Sequence, residues 1–126
     1  MKEKEEVSMK VLIVAPGAKP EEREIDGSLE SMQAIVGGTI QPLYPFEDFV
    51  ALVCNDEGKL DCLPMNRMLW ERNDVICGTF FLCRALPNDE NFSSLTDEEL
   101  AQYKQRFEKP EQFMRIGSTL VVIKER

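Results

Sequence analysis

The chain has 126 residues, of which 43% are hydrophobic, and a formal net charge of −8 at pH 7. This length fits a single domain, and a domain of this size can bury roughly two thirds of the surface of its unfolded chain. The acidic balance argues against non-specific binding to nucleic acid, which requires basic surface to neutralise phosphates. No apolar run reaches the ~20 residues of a membrane span, and the charged start does not resemble a secretory signal, so we expect a cytoplasmic protein without membrane contact.

The sequence contains no histidine and four cysteines. Histidine is the commonest general base and the usual partner of a serine or cysteine nucleophile. The cysteines form no CxxC pair, and without histidine they do not make a zinc pattern. We therefore expect buried, reduced thiols, no metal, no cofactor and no catalytic residue. An enzyme that uses carboxylates and a metal ion remains an alternative.

The first half of the chain predicts two strands and a helix. Residues 1–8 are charged, and we expect them to be disordered. The β-branched run 10–15 predicts a strand inside a sheet, and the alternating charges of 22–25 predict an edge strand that returns from a Pro-Gly turn. A helix is expected between Ser28, a good N-cap, and Gly37, which can take the left-handed conformation that ends helices.

The middle of the chain predicts a hairpin. Residues 39–44 are extended, but Pro42 cannot donate to a strand ladder, which places them at an edge. A stronger strand is predicted over 49–54. We expect a tight turn after it with positive φ at Gly58, so that 59–63 complete the hairpin.

Residues 75–86 are apolar at both alternating sets of positions, which predicts one central strand covered on both faces. Thr96 and Glu99 have the spacing of a capping box, so a helix begins there, and Pro110 stops it. We expect a last strand over 118–124.

Phe113 and Met114 are expected to anchor the connection to that last strand. Together these elements predict one α+β domain over 9–126, with a mixed, mostly antiparallel sheet of about five to seven strands. We expect both helices to pack on one face of the sheet.

A polar turn precedes the predicted central strand, and it is the first candidate for a binding site. An arginine beside a buried strand can bind a carboxylate or phosphate through two hydrogen bonds, and an asparagine can read an amide or a base edge. A glycine inside a strand indicates that another group approaches closely. The candidate ligand-binding residues are Asn66, Arg67, Trp70, Gly78 and Thr79.

A structural interpretation of the same turn is left open. Asn66 would cap a short helical turn over 65–70, and Arg67 would pair with an acid such as Asp61 or Glu71. The chain's only tryptophan, Trp70, would then anchor the core.

A second candidate is a surface for a protein partner, made of aromatic and acidic side chains. The aromatic residues could line a groove or a subunit contact, and packing at a sheet edge is the alternative. Acidic residues would suit a basic partner. The candidate residues are Tyr44, Phe46, Asp89, Glu90, Asp97 and Glu98.

The segments LPMNR (63–67) and GTFF (78–81), in order with ALVCNDEGK and SLTDEEL, resemble the family called domain of unknown function 3846. The resemblance covers about residues 9–107 and leaves the last strand outside. It implies a small cytosolic α+β protein from phages, plasmids and integrated elements of Firmicutes, and it brings no established activity.

Three functions follow as hypotheses. The first is a non-catalytic binding module that occupies a host or phage protein, plausibly as a counter-defence factor, and it is supported by the acidity, the missing histidine and the resemblance. The second is a binding protein or sponge for a small anionic, nucleotide-like ligand at the Asn66-Arg67 turn. The third is the carboxylate-dependent enzyme. Whether the protein forms homo-oligomers is left open.

Overall fold

The structure is a computed structural model that describes residues 8–124. The disorder predicted for residues 1–8 therefore lies outside the described part at all of these positions except residue 8. The described part contains two helices, nine strands and a 3₁₀ turn at Trp70–Arg72. The helices are α1 (Leu29–Val36) and α2 (Asp97–Arg106). The strands are β1 (Met9–Val14), β2 (Glu21–Ile25), β3 (Ile40–Leu43), β4 (Val50–Asn55), β5 (Met65–Leu69), β6 (Asp74–Cys77), β7 (Phe80–Arg84), β8 (Glu111–Ile116) and β9 (Thr119–Lys124).

Five of these strands form the main sheet, in the order β2-β1-β7-β4-β3. Each neighbouring pair is antiparallel, and the register places Leu12 and Leu52 on either side of Leu82. β7 is therefore the central strand, and Phe80 to Cys83 are fully buried. The α+β class and the five-stranded antiparallel sheet confirm the prediction.

The predicted single strand over 75–86 is wrong, because it is two strands separated by Gly78 and Thr79. β6 pairs with β5 in a separate hairpin, and only β7 enters the main sheet. Gly78 has φ of 85°, and its N–H donates to the carbonyl of Pro64 at 2.7 Å. Both halves are apolar and mostly buried, so hydrophobicity alone gives no sign of the break.

The two helices lie on opposite faces of the main sheet, which corrects the prediction of one face. Alternate residues of the central strands belong to different clusters: Phe81 packs with Met32 and Val36 of α1, whereas Phe80 packs with Leu100 and Tyr103 of α2. Because strand side chains alternate between faces and both faces here are apolar, each face requires its own cover. The β5–β6 hairpin contributes Leu69 and Ile76 on the α2 side.

The elements predicted at the start of the chain are confirmed. β2 is a charged edge strand, and β3 contains Pro42 at the other edge. Helix α1 begins after Ser28, whose hydroxyl accepts a hydrogen bond of 3.1 Å from the Ser31 N–H. It ends at Gly37, where φ is 79°.

The hairpin predicted around Gly58 is wrong. Residues 59–63 form turns, and β4 already pairs with β3 and β7 on its two sides, so a further strand has no place beside it. Positive φ occurs instead at Cys62. Position 58 requires glycine for a steric reason, because a Cβ there would lie 2.7 Å from the carbonyl oxygen of Cys77.

The end of the chain confirms the capping box and the last strand. The Thr96 hydroxyl accepts from the Glu99 N–H at 3.1 Å, and the Glu99 carboxylate accepts from the Thr96 N–H at 2.9 Å. The expected connection through Phe113 and Met114 is itself strand β8, which pairs with β9 across a turn at Gly117.

Candidate functional site

Asn66 lies inside the domain, where it ties three segments together. Its side chain is 0% exposed, and its amide donates to the carbonyls of Val14 at 2.8 Å and Gly78 at 2.9 Å. Val14 is the last residue of β1, and Gly78 directly follows β6. A buried amide with satisfied donors holds the hairpin against the sheet.

Arg67 is 1% exposed and continues this network. One terminal nitrogen donates to the Asn66 side-chain oxygen at 2.9 Å. The other donates to the carbonyls of Ala18 at 2.6 Å and Phe107 at 2.9 Å. The guanidinium therefore joins the β1–β2 turn, the hairpin and the end of α2.

The structural interpretation of this turn requires correction. Residues 65–69 are a strand rather than a helical turn, and Glu71 pairs with Arg106 rather than with Arg67. Trp70 is not a core anchor, because it is 59% exposed. Gly78 is buried and Thr79 is half-buried.

The Asn66 amide and the terminal nitrogens of Arg67 donate to oxygens inside the protein, and both side chains are buried, so neither offers a surface to a ligand. A nucleotide-like ligand at this turn stays an untested prediction that the geometry does not favour.

The other candidate residues come together at the opposite end of β7, in two adjoining hollows that we call the acidic–aromatic groove. The hollows have volumes of about 550 and 710 Å³ and share Glu47, Asp48 and Phe49. The first hollow also contains Tyr44, Phe46, Ala85, Leu86, Pro87, Asp89, Glu90 and Phe92. The second also contains Arg84, Thr96, Asp97, Glu98, Glu99 and Gln102.

The aromatic part of the groove combines fixed and exposed rings. Phe46 packs against Tyr103 with ring centroids 4.9 Å apart, and the Arg106 guanidinium lies 5.0 Å from the Phe46 ring centre. Tyr44 and Phe49 are 63% and 51% exposed. Large exposed aromatic side chains next to one another are typical of surfaces that bind a partner.

Hydrogen bonds hold the two loops of the groove, residues 44–49 and 85–92, in place. The Ala85 N–H donates to the Phe49 carbonyl at 2.8 Å. Arg84 and Ser93 exchange hydrogen bonds at 2.9 and 2.8 Å, which closes the 85–92 loop at its base. The Asp89 carboxylate accepts from the Asn91 N–H at 2.9 Å. The groove is therefore largely formed before any partner arrives.

The groove carries a strong negative charge. Of the described residues, seven carboxylates and one basic side chain line it, and that side chain, Arg84, already pairs with Glu99 at 3.5 Å. Among residues 8–124, the other ion pairs lie elsewhere. The acids of the groove that take part in none of these ion pairs are Glu47, Asp48, Asp89, Glu90, Asp97 and Glu98.

Asp48 also has a structural role. Its carboxylate accepts hydrogen bonds from the Tyr103 hydroxyl at 2.9 Å and from the Gln102 amide at 3.3 Å. Burial, and then this hydrogen bond and the charge of Asp48, raise the pKa of Tyr103 well above its usual value. Asp48 thus fixes the groove to α2.

The sequence analysis had named six of the groove's residues as candidates for a partner surface. It did not predict that all six line one groove. It did not single out Glu47, Leu86 or Arg84. The signal for Glu47 was present, because the segment PFEDF places two acids between aromatic residues. The proximity of 44–49 to 85–92 arises only because β4 and β7 are paired.

Two features are absent from the described residues. No group of three or more histidine, cysteine, aspartate or glutamate side chains in 8–124 could hold a metal ion. Neither helix in this part of the chain has the length and apolar character to cross a membrane.

The fold and the groove define a small α+β domain with an antiparallel sheet between two helices and an acidic, aromatic surface at one end. The chain belongs to the family described as "Domain of unknown function (DUF3846)", whose model matches residues 9–108. Comparison with curated proteins and with solved structures found no match. The β8–β9 hairpin lies beyond the matched residues.

Proposed function

We propose that this protein is a non-catalytic binding module whose acidic–aromatic groove binds a basic segment of a partner protein. The observation that supports it is the juxtaposition of seven carboxylates with the exposed rings of Tyr44 and Phe49. Such a surface suits lysine and arginine side chains in two ways, through their charge and through their attraction to aromatic rings.

The two contributions act at different stages of binding. The field of the carboxylates steers a basic segment towards the groove and raises the association rate in a salt-dependent manner. Once the segment is bound, an arginine or lysine over the ring of Tyr44 or Phe49 contributes about 0.5–2 kcal/mol. Because main-chain hydrogen bonds fix the loops of the groove, little ordering is needed on binding.

Within this proposal, the partner is a host or phage protein, and the module acts in the host cytoplasm as a counter-defence factor of a phage or other mobile element of Firmicutes. Only the family resemblance supports this part, by association.

The test uses an immobilised array of dodecapeptides that differ in their content of lysine, arginine and aromatic residues. We expect the protein to bind basic peptides and not acidic ones. For the best peptide, stopped-flow fluorescence measures the association rate at several salt concentrations. The double variant Asp89→Asn/Glu90→Gln should lower that rate about tenfold at low salt and flatten its salt dependence.

A matched control removes the same charge elsewhere. Asp56 and Glu57 are exposed and lie outside the groove, so Asp56→Asn/Glu57→Gln should leave the rate within about twofold of the wild type. An equal loss in both double variants would show that only net charge matters. Either that result or an array without basic binders would overturn the proposal.

The aromatic contribution is tested separately. Tyr44→Ala should leave the association rate nearly unchanged but raise the dissociation rate by about threefold or more. Because Tyr44 is largely exposed, the variant should fold like the wild type. An unchanged dissociation rate would remove the ring of Tyr44 from the binding surface.

A further inference from the structure

The two edges of the main sheet are protected against pairing with another chain. The β2 edge carries Glu21, Glu22, Arg23 and Glu24, and the β3 edge contains Pro42. Charged residues and proline are the means by which native proteins prevent strands from adding to an edge.

Strand β9 has less of this protection, because it contains no proline and its one charged residue, Lys124, stands at its end. Its sequence is TLVVIK, and within the described residues it pairs only with β8. Its other side therefore presents main-chain donors and acceptors beside a run of β-branched residues, which is the kind of edge that accepts another strand.

One face of the β8–β9 hairpin is also apolar and open. Met114 lies opposite Val121, Gln112 opposite Ile123 and Ile116 opposite Thr119. Successive pairs are two residues apart along each strand, so the side chains of all three pairs lie on the same face of the hairpin. Met114, Ile116 and Ile123 are 51%, 61% and 45% exposed.

The charge of this hairpin differs from that of the rest of the chain. The single acid in 111–124 is Glu111, which is buried, and the same residues include Arg115 and Lys124, whereas the whole chain has a formal net charge of −8. Two copies of an acidic protein repel one another, and the repulsion is weakest where their surfaces carry no acid.

We propose that the outer edge of β9 pairs antiparallel with β9 of a second copy of this chain. The two hairpins then form one four-stranded sheet across a two-fold axis, in the order β8-β9-β9-β8. Such an interface is self-complementary, as a two-fold dimer requires. It joins the apolar faces of two hairpins, each of which is only marginally stable as an isolated two-stranded unit. This dimer is independent of the acidic–aromatic groove.

The first experiment measures the mass of the full chain by light scattering over a range of protein concentrations. The chain mass is 14.4 kDa, so we expect twice that value at high concentration. Ile123→Lys places a charge in the joined face and should raise the dimer dissociation constant about tenfold or more.

Leu60→Lys is the matched control, because Leu60 is an apolar residue that is 82% exposed in a turn away from β9. It should dimerise like the wild type. A wild type that stays monomeric at every concentration, or an Ile123→Lys variant that dimerises as well as the Leu60→Lys variant, would overturn the proposal.

Hydrogen exchange locates the interface without any substitution. Amides in 119–124 should exchange about tenfold more slowly at concentrations that favour the dimer, while those of β2 and β3 should not change. A concentration-dependent slowing in β2 or β3 instead of β9 would place the contact elsewhere and contradict the proposal.

Discussion

The side-chain amide of Asn66 donates a hydrogen bond of 2.8 Å to the carbonyl of Val14, which is 52 positions earlier in the chain. This bond joins the β5–β6 hairpin to the end of β1, beside the central strand. The Val14 carbonyl lies at the end of a buried strand, and a buried main-chain carbonyl needs a hydrogen-bond donor, which Asn66 supplies.

Asn66→Ala tests this role. The substitution leaves the Val14 and Gly78 carbonyls without this donor in a buried site, so we expect a loss of about 2–3 kcal/mol in the free energy of unfolding. Urea denaturation measures it. Asn88→Ala, at an exposed loop position, should change stability by less than about 0.5 kcal/mol. A similarly small effect at Asn66 would mean that the amide is not structural.

Arg67→Lys tests the geometry of the guanidinium. One ammonium group cannot reach the Ala18 carbonyl, the Phe107 carbonyl and the Asn66 side chain together. We expect a loss of about 2 kcal/mol by urea denaturation, although the charge is kept. A lysine variant as stable as the wild type would show that charge alone suffices. If added anions stabilised only the wild type, Arg67 would be a ligand-binding residue instead.

Substitutions at two glycines with positive φ allow the cost of backbone strain to be measured separately from the cost of steric crowding. Gly78 has φ of 85° and a Cβ there would lie 2.7 Å from Leu63 Cδ1, whereas Gly17 has φ of 73° and open space around it. Gly17→Ala should cost only the strain, about 1–2 kcal/mol. Gly78→Ala should cost about 1 kcal/mol more.

The double variant Gly78→Ala/Leu63→Ala checks this explanation by urea denaturation. Removing the Leu63 side chain should relieve the crowding, so the double variant should lose less stability than the two single variants added together. Strict additivity would argue against a clash between these residues.

The pKa of Asp26 gives a prediction about acid stability. Hydrogen bonds from the Ser31 hydroxyl at 2.6 Å, and then from the Ser28 N–H at 2.8 Å, lower the pKa of Asp26 to about 2. A carboxylate with a lowered folded-state pKa stabilises the protein above its unfolded pKa of about 3.9. This contribution is lost as the pH falls from about 4 towards 2.

A carbon-13 NMR titration should show the Asp26 carboxyl titrating near pH 2 in the wild type. Ser31→Ala removes the first of these donors and should shift the midpoint upward. Asp26→Asn should reduce the dependence of stability on pH between about 2 and 4. An Asp26 midpoint near its ordinary value would contradict the proposed hydrogen bonds.

The cysteines should differ widely in their reaction with a thiol reagent. Burial raises the pKa of Cys83 to about 12 and that of Cys54 to about 11, and both side chains are buried, whereas Cys62 is exposed. Because the thiolate is the reactive form, Cys62 should react first and the buried pair only on unfolding. Mass spectrometry after short labelling measures this. Rapid labelling of Cys83 would contradict its place in the central strand.

Sequence alone predicted the features whose causes are local. The caps at Ser28 and Thr96 and the end of α1 at Gly37 depend on hydrogen bonds or on φ within a few residues. The edge positions of β2 and β3 also follow from their own residues, because charge and proline exclude a strand from the interior of a sheet.

The sequence could not predict which segments meet. The glycine in the apolar run 75–86 indicates a close approach of another group, but the hydrophobic pattern does not show that Gly78 divides the run between two sheets. The interpretation of Trp70 as a core anchor was wrong, because hydrophobicity suggests a buried tryptophan and an accessible arginine, whereas Trp70 is exposed and Arg67 is buried. Only the contacts of Arg67 with the distant Ala18 and Phe107 carbonyls explain its burial.

The amino-acid order determined the helix ends, the protected sheet edges, the acidic charge and the α+β class, because each depends on neighbouring residues or on composition. The tertiary structure decided that the helices cover opposite faces and that the Asn66-Arg67 turn faces inward. It also decided that 44–49 and 85–92 form one acidic–aromatic groove. These features depend on pairing between strands far apart in the chain, and the pattern within a single segment does not encode such pairing.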